Sequence, residues 1–286
     1  MKHSFLLLSF ILLLAFCAKA QVAGQGIDVI HYVINLGQFD FSEKTFQGVT
    51  EVDFKATNDI TSVVLELKTL EVSEVTCTQY DVAGFEQDDD LLVVHFASTI
   101  PADAVAELTV AYGGHTFNES WGGVHWNGEY VYNLGVGFDS QPHNLGKTWF
   151  PCVDNFTDKA RYDVTITADN GKKAICGGNF VSATDNGDGT TTWHWTMPQE
   201  IATYHISFTV GEYELWEDVS NGIPVTVYAR PNTAAKVPGS FVNIKEIVAF
   251  YEECFGPYPF NRVGYVGTPI GSMEHAHNIF LANSLI

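Results

Sequence analysis

From Ile27 to about Tyr213, apolar and polar residues alternate along short runs separated by clusters of Asp, Asn, Gly and Pro. A two-residue period sends successive side chains to opposite faces of a strand, so these runs predict sheets with one buried and one wet face. Phe46, Val52, Phe54 and Ala56 share one parity while Gln47, Glu51, Asp53 and Lys55 take the other. Tyr162, Val164, Ile166 and Ala168 repeat the arrangement against Arg161, Asp163, Thr165 and Thr167. Val29 to Leu36, Ser62 to Leu67, Leu91 to Phe96 and Ala106 to Tyr112 are further β-branched or aromatic runs. Asp169-Asn170-Gly171 and Asn186-Gly187-Asp188-Gly189 supply tight turns before Lys173 to Gly177 and Thr190 to Met197. Residues 21–221 therefore read as a hairpin-rich, all-β domain.

The period changes near Asn221. Ile223 to Ala229 predicts a strand, and Ser240 is placed as the N-cap of a helix carrying Phe241, Ile244, Ile247, Val248 and Tyr251, stopped by Gly256 and Pro257. That spacing predicts an apolar helix face laid on a neighbouring sheet. Arg262 to Thr268 is again β-rich, Ile270-Gly271-Ser272 turns the chain, and Met273-Glu274-His275 sets one carboxylate among small and apolar neighbours. Residues 222–286 read as the beginning of an α/β domain. Gly271 lacks a Cβ, so a ligand or a second backbone can approach the chain there, and a segment at a sheet edge can pair with an extended peptide. Glu274 would then meet the free ammonium of that peptide.

The 286-residue chain is 46% hydrophobic, enough to give cores to one large or two moderate domains. Met1 to Ala20 has Lys2 and His3, an apolar run from Phe5 to Phe16, and Ala18-Lys19-Ala20, the pattern of a cleaved secretory signal. The expected product is exported, secreted or periplasmic, with no inserted membrane segment. Removing residues 1–20 leaves 12 basic against 34 acidic side chains, a formal charge of −22. Nucleic acid is excluded as a partner, because binding it requires basic surface against phosphate. Cys77, Cys152, Cys176 and Cys254 remain, with no Cys-x-x-Cys pair and an expectation of no more than one disulfide.

Gly271-Ser272-Met273-Glu274-His275 resembles the Gly-x-Met-Glu-Asn motif of the zinc aminopeptidase family typified by aminopeptidase N and leukotriene A4 hydrolase. Phe255-Gly256-Pro257-Tyr258-Pro259-Phe260 is similar to the Phe-Gly-x-x-Tyr-Pro run that precedes it there. Phe150-Pro151-Cys152-Val153-Asp154 resembles the family's Phe-Pro-Cys-x-Asp segment, and Thr203 to Gly211 the run that closes its first domain. The resemblance implies a mainly β fold: an N-terminal β-saddle domain, antiparallel and sandwich-like, followed by the α/β start of a thermolysin-like catalytic domain. It implies peptide substrates with a free amino terminus, whose amine is held by Glu274 on the strand of Gly271, Ser272 and Met273, with Gln141 lining the first side-chain pocket. The family's Asn is His275 here.

The resemblance also implies zinc, which requires three ligands and a general base, usually as His-Glu-x-x-His on a helix. No two of the ten histidines are four residues apart. The expectation is therefore an N-terminal piece of an aminopeptidase that carries no catalytic residue and no metal ligand, and that relies on the remainder of the catalytic domain for zinc. The alternative is a non-catalytic β-sandwich module. Trp121, Trp126, Trp193 and Trp195 would stack on carbohydrate in that reading, or the saddle would serve as a protein scaffold. Core burial of these indoles is the competing expectation.

Overall fold

The computed structural model describes residues 22–286, so the secretory-signal reading of residues 1–20 lies outside the described residues. A seven-stranded sheet runs in the spatial order Asn179–Asp185, Thr190–Ile201, Ala160–Asp169, Ile27–Asp40, Thr45–Ala56, Val105–His115, Glu71–Cys77. The predicted parities hold: Phe46, Val52, Phe54, Ala56, Tyr162, Val164, Ile166 and Ala168 all face inward. Every neighbouring pair in this sheet is antiparallel except Ile27–Asp40 with Ala160–Asp169.

Two smaller sheets complete this mainly β unit. One orders Lys173–Cys176, Phe208–Gly211, Tyr130–Leu134 and Gly123–Asn127; the other orders Ile60–Glu66, Leu91–Ile100 and Val82–Asp88. Aromatic rings fill the space between the sheets, with Trp149 and Phe208 centred 4.9 Å apart and Tyr32 stacked on Tyr162 at 5.3 Å. Trp149 and Trp195 are fully buried, and Trp121, Trp126 and Trp193 are half-buried. Trp195 donates its indole N–H to the Ala174 carbonyl at 3.0 Å, and Phe180 lies against both Trp193 and Trp195. The strand face that carries these two indoles is therefore packed, which answers to core burial. All four described cysteines are free thiols.

The Phe150–Asp154 segment is threaded through this core. Cys152 exchanges both backbone hydrogen bonds with Glu66, at 2.8 and 3.0 Å. Lys147 reaches the Glu66 carboxylate at 2.7 Å, and Asp154 accepts the Thr203 hydroxyl at 2.7 Å and the Lys147 amide at 3.2 Å. Burial raises the Asp154 carboxyl to about 6, against the pull of the Thr203 hydroxyl and the Lys147 charge.

The remaining sheet orders Glu214–Ser220, Ile223–Ala229, Val263–Thr268 and Ile279–Ala282, the last three running parallel. The composition change near Asn221 thus falls inside a hairpin whose two strands belong to one sheet. Ser240 does not cap the long helix. It ends a single turn, Val237–Ser240, and donates its hydroxyl to the Ile286 carbonyl at 3.2 Å, while the helix proper spans Ile244–Phe255 behind Asn243. Of the predicted apolar face, Phe241, Ile244 and Val248 are buried, whereas Ile247 and Tyr251 are exposed beside Phe255 in an open groove of about 300 Å³. No described helix is long and apolar enough to cross a membrane.

Arg262 joins the two units. Its guanidinium donates to the Gly178 carbonyl at 3.0 and 3.1 Å, the Cys176 carbonyl at 3.2 Å and the Thr226 hydroxyl at 2.8 Å, and it lies 5.2 Å from the centre of the Trp195 ring. No carboxylate pairs with it among the described residues, and burial pulls its pKa down to about 10.

Candidate functional site

The parallel strands Val263–Thr268 and Ile279–Ala282 are joined by residues 269–278, and this connection carries the predicted Glu274 segment. Gly271 is pressed against the returning strand: a Cβ there would sit 2.8 Å from the Ala282 nitrogen and 3.1 Å from the Phe280 oxygen. Its freedom from a side chain is thus used by the protein's own backbone. Ser272 follows and is exposed, and the peptide between them is cis. Met273 exchanges both backbone hydrogen bonds with Phe280 at 2.9 Å, which sets the parity of what comes next. Met273 and His275 point inward and Glu274 points out.

Three contacts with the first unit fix this segment. The Ala276 amide donates to the His205 carbonyl at 3.1 Å, the Asn278 side chain donates to the Ser207 hydroxyl at 3.2 Å, and the Gly135 amide donates to His275 Nε2 at 3.2 Å. An imidazole nitrogen that accepts carries no proton, so the neutral His275 ring is protonated at Nδ1, a buried atom without a partner. Burial, reinforced by neighbouring His205, pushes the His275 pKa down to about 3. His277 is pushed down to about 4, first by burial and then by the Arg262 charge. Between the two histidines the chain turns at Ala276 and His277, and His277 has a φ of 61°.

The charge of Glu274 reaches Tyr204 and His205. Burial and then that charge raise the tyrosine, while burial lowers the histidine against the charge's pull. Both lie in the Thr203 to Gly211 run that resembles the close of the family's first domain, but nothing local joins them to Glu274, some seventy positions later.

Gln141 lies at the exposed tip of an arch whose feet are Gly135 and Leu145. The arch is closed by Leu145 N–H to Gly135 O and Gly137 N–H to His143 O, both 2.8 Å. The Gln141 amide nitrogen lies 3.2 Å from His143 Nε2. One foot of the arch, Gly135, is the residue bonded to His275. The structure therefore brings the Gln141 arch and the Glu274 segment into hydrogen-bonded contact across 140 residues of sequence.

The converging donors among the described residues are carboxylates. Among the described residues, the ligand atoms that converge closely enough for one ion are those of Glu51, Asp53 and Glu107, within 4.8 Å of one another on the outer face of the large sheet. Three carboxylates suit a hard cation, whereas catalytic zinc takes imidazole with an open position. His275 has its accepting nitrogen occupied by the Gly135 amide.

The buried histidine gives a measurable pH dependence. Below pH 6.5 the unfolded chain protonates at this position and the folded chain does not, so stability is lost progressively as pH falls from 6.5 towards 3. His275→Asn removes the titration while keeping an acceptor for Gly135. Between pH 7 and pH 4.5 the variant is expected to lose about 2–3 kcal/mol less stability than the parent chain in urea unfolding. Parallel stability curves would show that His275 titrates alike in both states.

Comparison with known proteins agrees with this architecture. Residues 29–205 match the Peptidase M1 N-terminal domain. Endoplasmic reticulum aminopeptidase 1 of Mus musculus is 22% identical over 267 residues, covering 86% of this chain and 28% of the mouse protein. Probable aminopeptidase 1 of Sulfurisphaera tokodaii is 22% identical over 256 residues, covering 87% of this chain and 30% of its own length. Transcription initiation factor TFIID subunit 2 of Drosophila melanogaster is 27% identical over 120 residues, 41% of this chain and 10% of that protein. The crystal structure of the M1 zinc metallopeptidase from Deinococcus radiodurans superposes with a TM-score of 0.79 at 20% identity, over 92% of this chain and 62% of that one. The chain spans under a third of the aminopeptidases it matches. With the domain match extending over more than half of its residues, the chain belongs to the peptidase M1 N-terminal domain family.

Proposed function

We propose that this chain is the amine-recognition part of an exported, zinc-dependent aminopeptidase that removes single residues from peptide amino termini. Residues 1–20 serve as the export signal, the saddle follows as far as Tyr213, and the sheet that begins with Glu214–Ser220 opens the catalytic domain. Zinc and its ligands belong to residues outside this chain. One observation carries the reading: Glu274 faces outward from a backbone held on the first unit by Gly135, His205 and Ser207, beside the arch that bears Gln141. A carboxylate fixed in that way is pre-organised to accept the N–H groups of a primary ammonium, and a side-chain amide offers a further acceptor. Of the Gly271, Ser272 and Met273 run assigned to the peptide backbone, exposed Ser272 is left for that contact, since Met273 is already paired with Phe280 and Gly271 is pressed against the returning strand.

A second reading, a non-catalytic protein-binding saddle, draws support from the similarity to a transcription initiation factor subunit. Isothermal titration of the full chain separates the two. The proposal expects L-leucinamide to bind with a Kd of about 1 mM, the strength of a few polar contacts, and N-acetyl-leucinamide not to bind. Glu274→Ala should abolish the difference. Equal behaviour of the free and acetylated amides in the parent chain would sink amine recognition and favour the scaffold.

A further inference from the structure

One side chain from outside the arch, Glu119, gathers the backbone at the tip of the Gln141 arch. Glu119 precedes the strand Gly123–Asn127, and its carboxylate faces the backbone of Phe138, Asp139 and Ser140. One oxygen accepts the amides of Phe138 and of Asp139, the latter at 2.9 Å. The other accepts the Ser140 amide at 2.9 Å and the Ser140 hydroxyl at 2.6 Å. Burial alone would raise the acid, yet these donors outweigh it and hold the pKa below the usual glutamate value.

The surrounding backbone adds to the fit. A Cβ at Gly137 would overlap Glu119 Oε1, and one at Gly122 would sit 2.5 Å from the Val136 oxygen. Ser120 donates its hydroxyl to the Asp139 carboxylate at 3.2 Å, and the Trp121 ring stacks on Phe138 with centroids 5.6 Å apart. Three successive amides converging on a carboxylate form a backbone nest, here filled by the protein's own anion. The next residue in the chain is Gln141.

We propose that Glu119 is the positioning residue of the amine site: it touches no substrate, and it fixes the backbone from which Gln141 reaches the substrate. This rests on the reading that Gln141 and Glu274 contact the amino-terminal residue. An exposed arch without such a tie would have to be ordered when the ligand binds, and that ordering weakens affinity. With the tie in place the order already exists in the free protein.

The test is a double-mutant cycle in the full chain, titrated calorimetrically with L-leucinamide. Glu119→Gln keeps the shape but turns one acceptor oxygen into a donor facing the Ser140 or Phe138–Asp139 amides. It is expected to weaken binding about 5–10-fold, the cost of immobilising one side chain and its loop, and Gln141→Ala to weaken it similarly. The double variant should bind no more weakly than Gln141→Ala alone, because Glu119 acts only through Gln141. The NMR amide proton signals of Phe138, Asp139 and Ser140 should lie downfield in the parent chain and move upfield in Glu119→Gln. Should that variant fail to fold, Ser140→Ala removes one of the four bonds and is expected to weaken binding about 2–3-fold. Additive losses, or unchanged affinity in a folded Glu119→Gln or Ser140→Ala chain, would overturn the positioning role. Failure of Glu274→Ala to reduce affinity would instead remove the amine reading itself, and the proposal with it.

Discussion

If the complete protein is the aminopeptidase proposed above, replacing Glu274 by alanine in it is expected to lower kcat/KM for peptides with a free amino terminus by about two to three orders of magnitude. The figure follows from losing one charge-assisted contact in a partly desolvated site, typically about 2–5 kcal/mol. The effect should not be confined to KM. The contact that holds the ammonium also sets where the first peptide bond lies, so losing it slows the chemical step through misplacement. Glu274→Gln keeps the shape and one acceptor and should retain more activity than Glu274→Ala. Bound zinc should be unchanged in both variants, since the role proposed for Glu274 is to hold the ammonium and Glu274 is not one of the converging donors Glu51, Asp53 and Glu107 among the described residues. Steady-state kinetics with a free-amine peptide, alongside metal analysis of each variant, checks this. Near-normal rates for Glu274→Ala, or zinc lost in step with activity, would reduce Glu274 to a solvated side chain on a loop.

Arg262→Met should be the most destabilising single change at the junction of the two units. Methionine approximates the aliphatic volume but leaves the Gly178 and Cys176 carbonyls and the Thr226 hydroxyl, all buried, without their donor. Stranded buried acceptors cost more than the net value of the bonds they made, and a loss of about 3–5 kcal/mol in unfolding free energy is expected. Arg262→Lys should recover only part of it, because an ammonium cannot span three acceptors in the plane of a guanidinium fork. Urea unfolding followed by tryptophan fluorescence suits the measurement, as Trp195 lies beside the guanidinium. A loss below about 1 kcal/mol would show that water replaces the guanidinium at no great cost. The variant should also weaken leucinamide binding, since Arg262 anchors the unit carrying Glu274 to the unit carrying Gln141.

Strands with one dry and one wet face were legible in the chain. Thr45–Ala56 and Ala160–Asp169 declare themselves because burial imposes a period of two on the residues themselves. Glu71–Cys77 and Val82–Asp88 do not, since they lie at sheet edges, are wet on most sides, and are not forced to alternate. Ser240 shows the limit of local signals at a helix start: a good capping residue ended a short turn because its hydroxyl found the Ile286 carbonyl, and Ile247 and Tyr251 fit a helical stripe whose edge faces outward. Glu274 and Gln141 were nameable from short motifs, and the family expectation from the runs around them. Their surroundings were not. His275 is kept neutral by burial against the first unit and its tautomer is set by a Gly135 amide 140 residues away, and the Gln141 backbone is tied to Glu119, twenty-odd residues away. The sequence by itself determined the β class, the inward parity of its strands and the isolated acid at Glu274. Only the tertiary structure decided which groups meet that acid and which ring stays neutral, because burial and hydrogen bonding are set by what folds alongside a residue, and no local pattern along the chain records that.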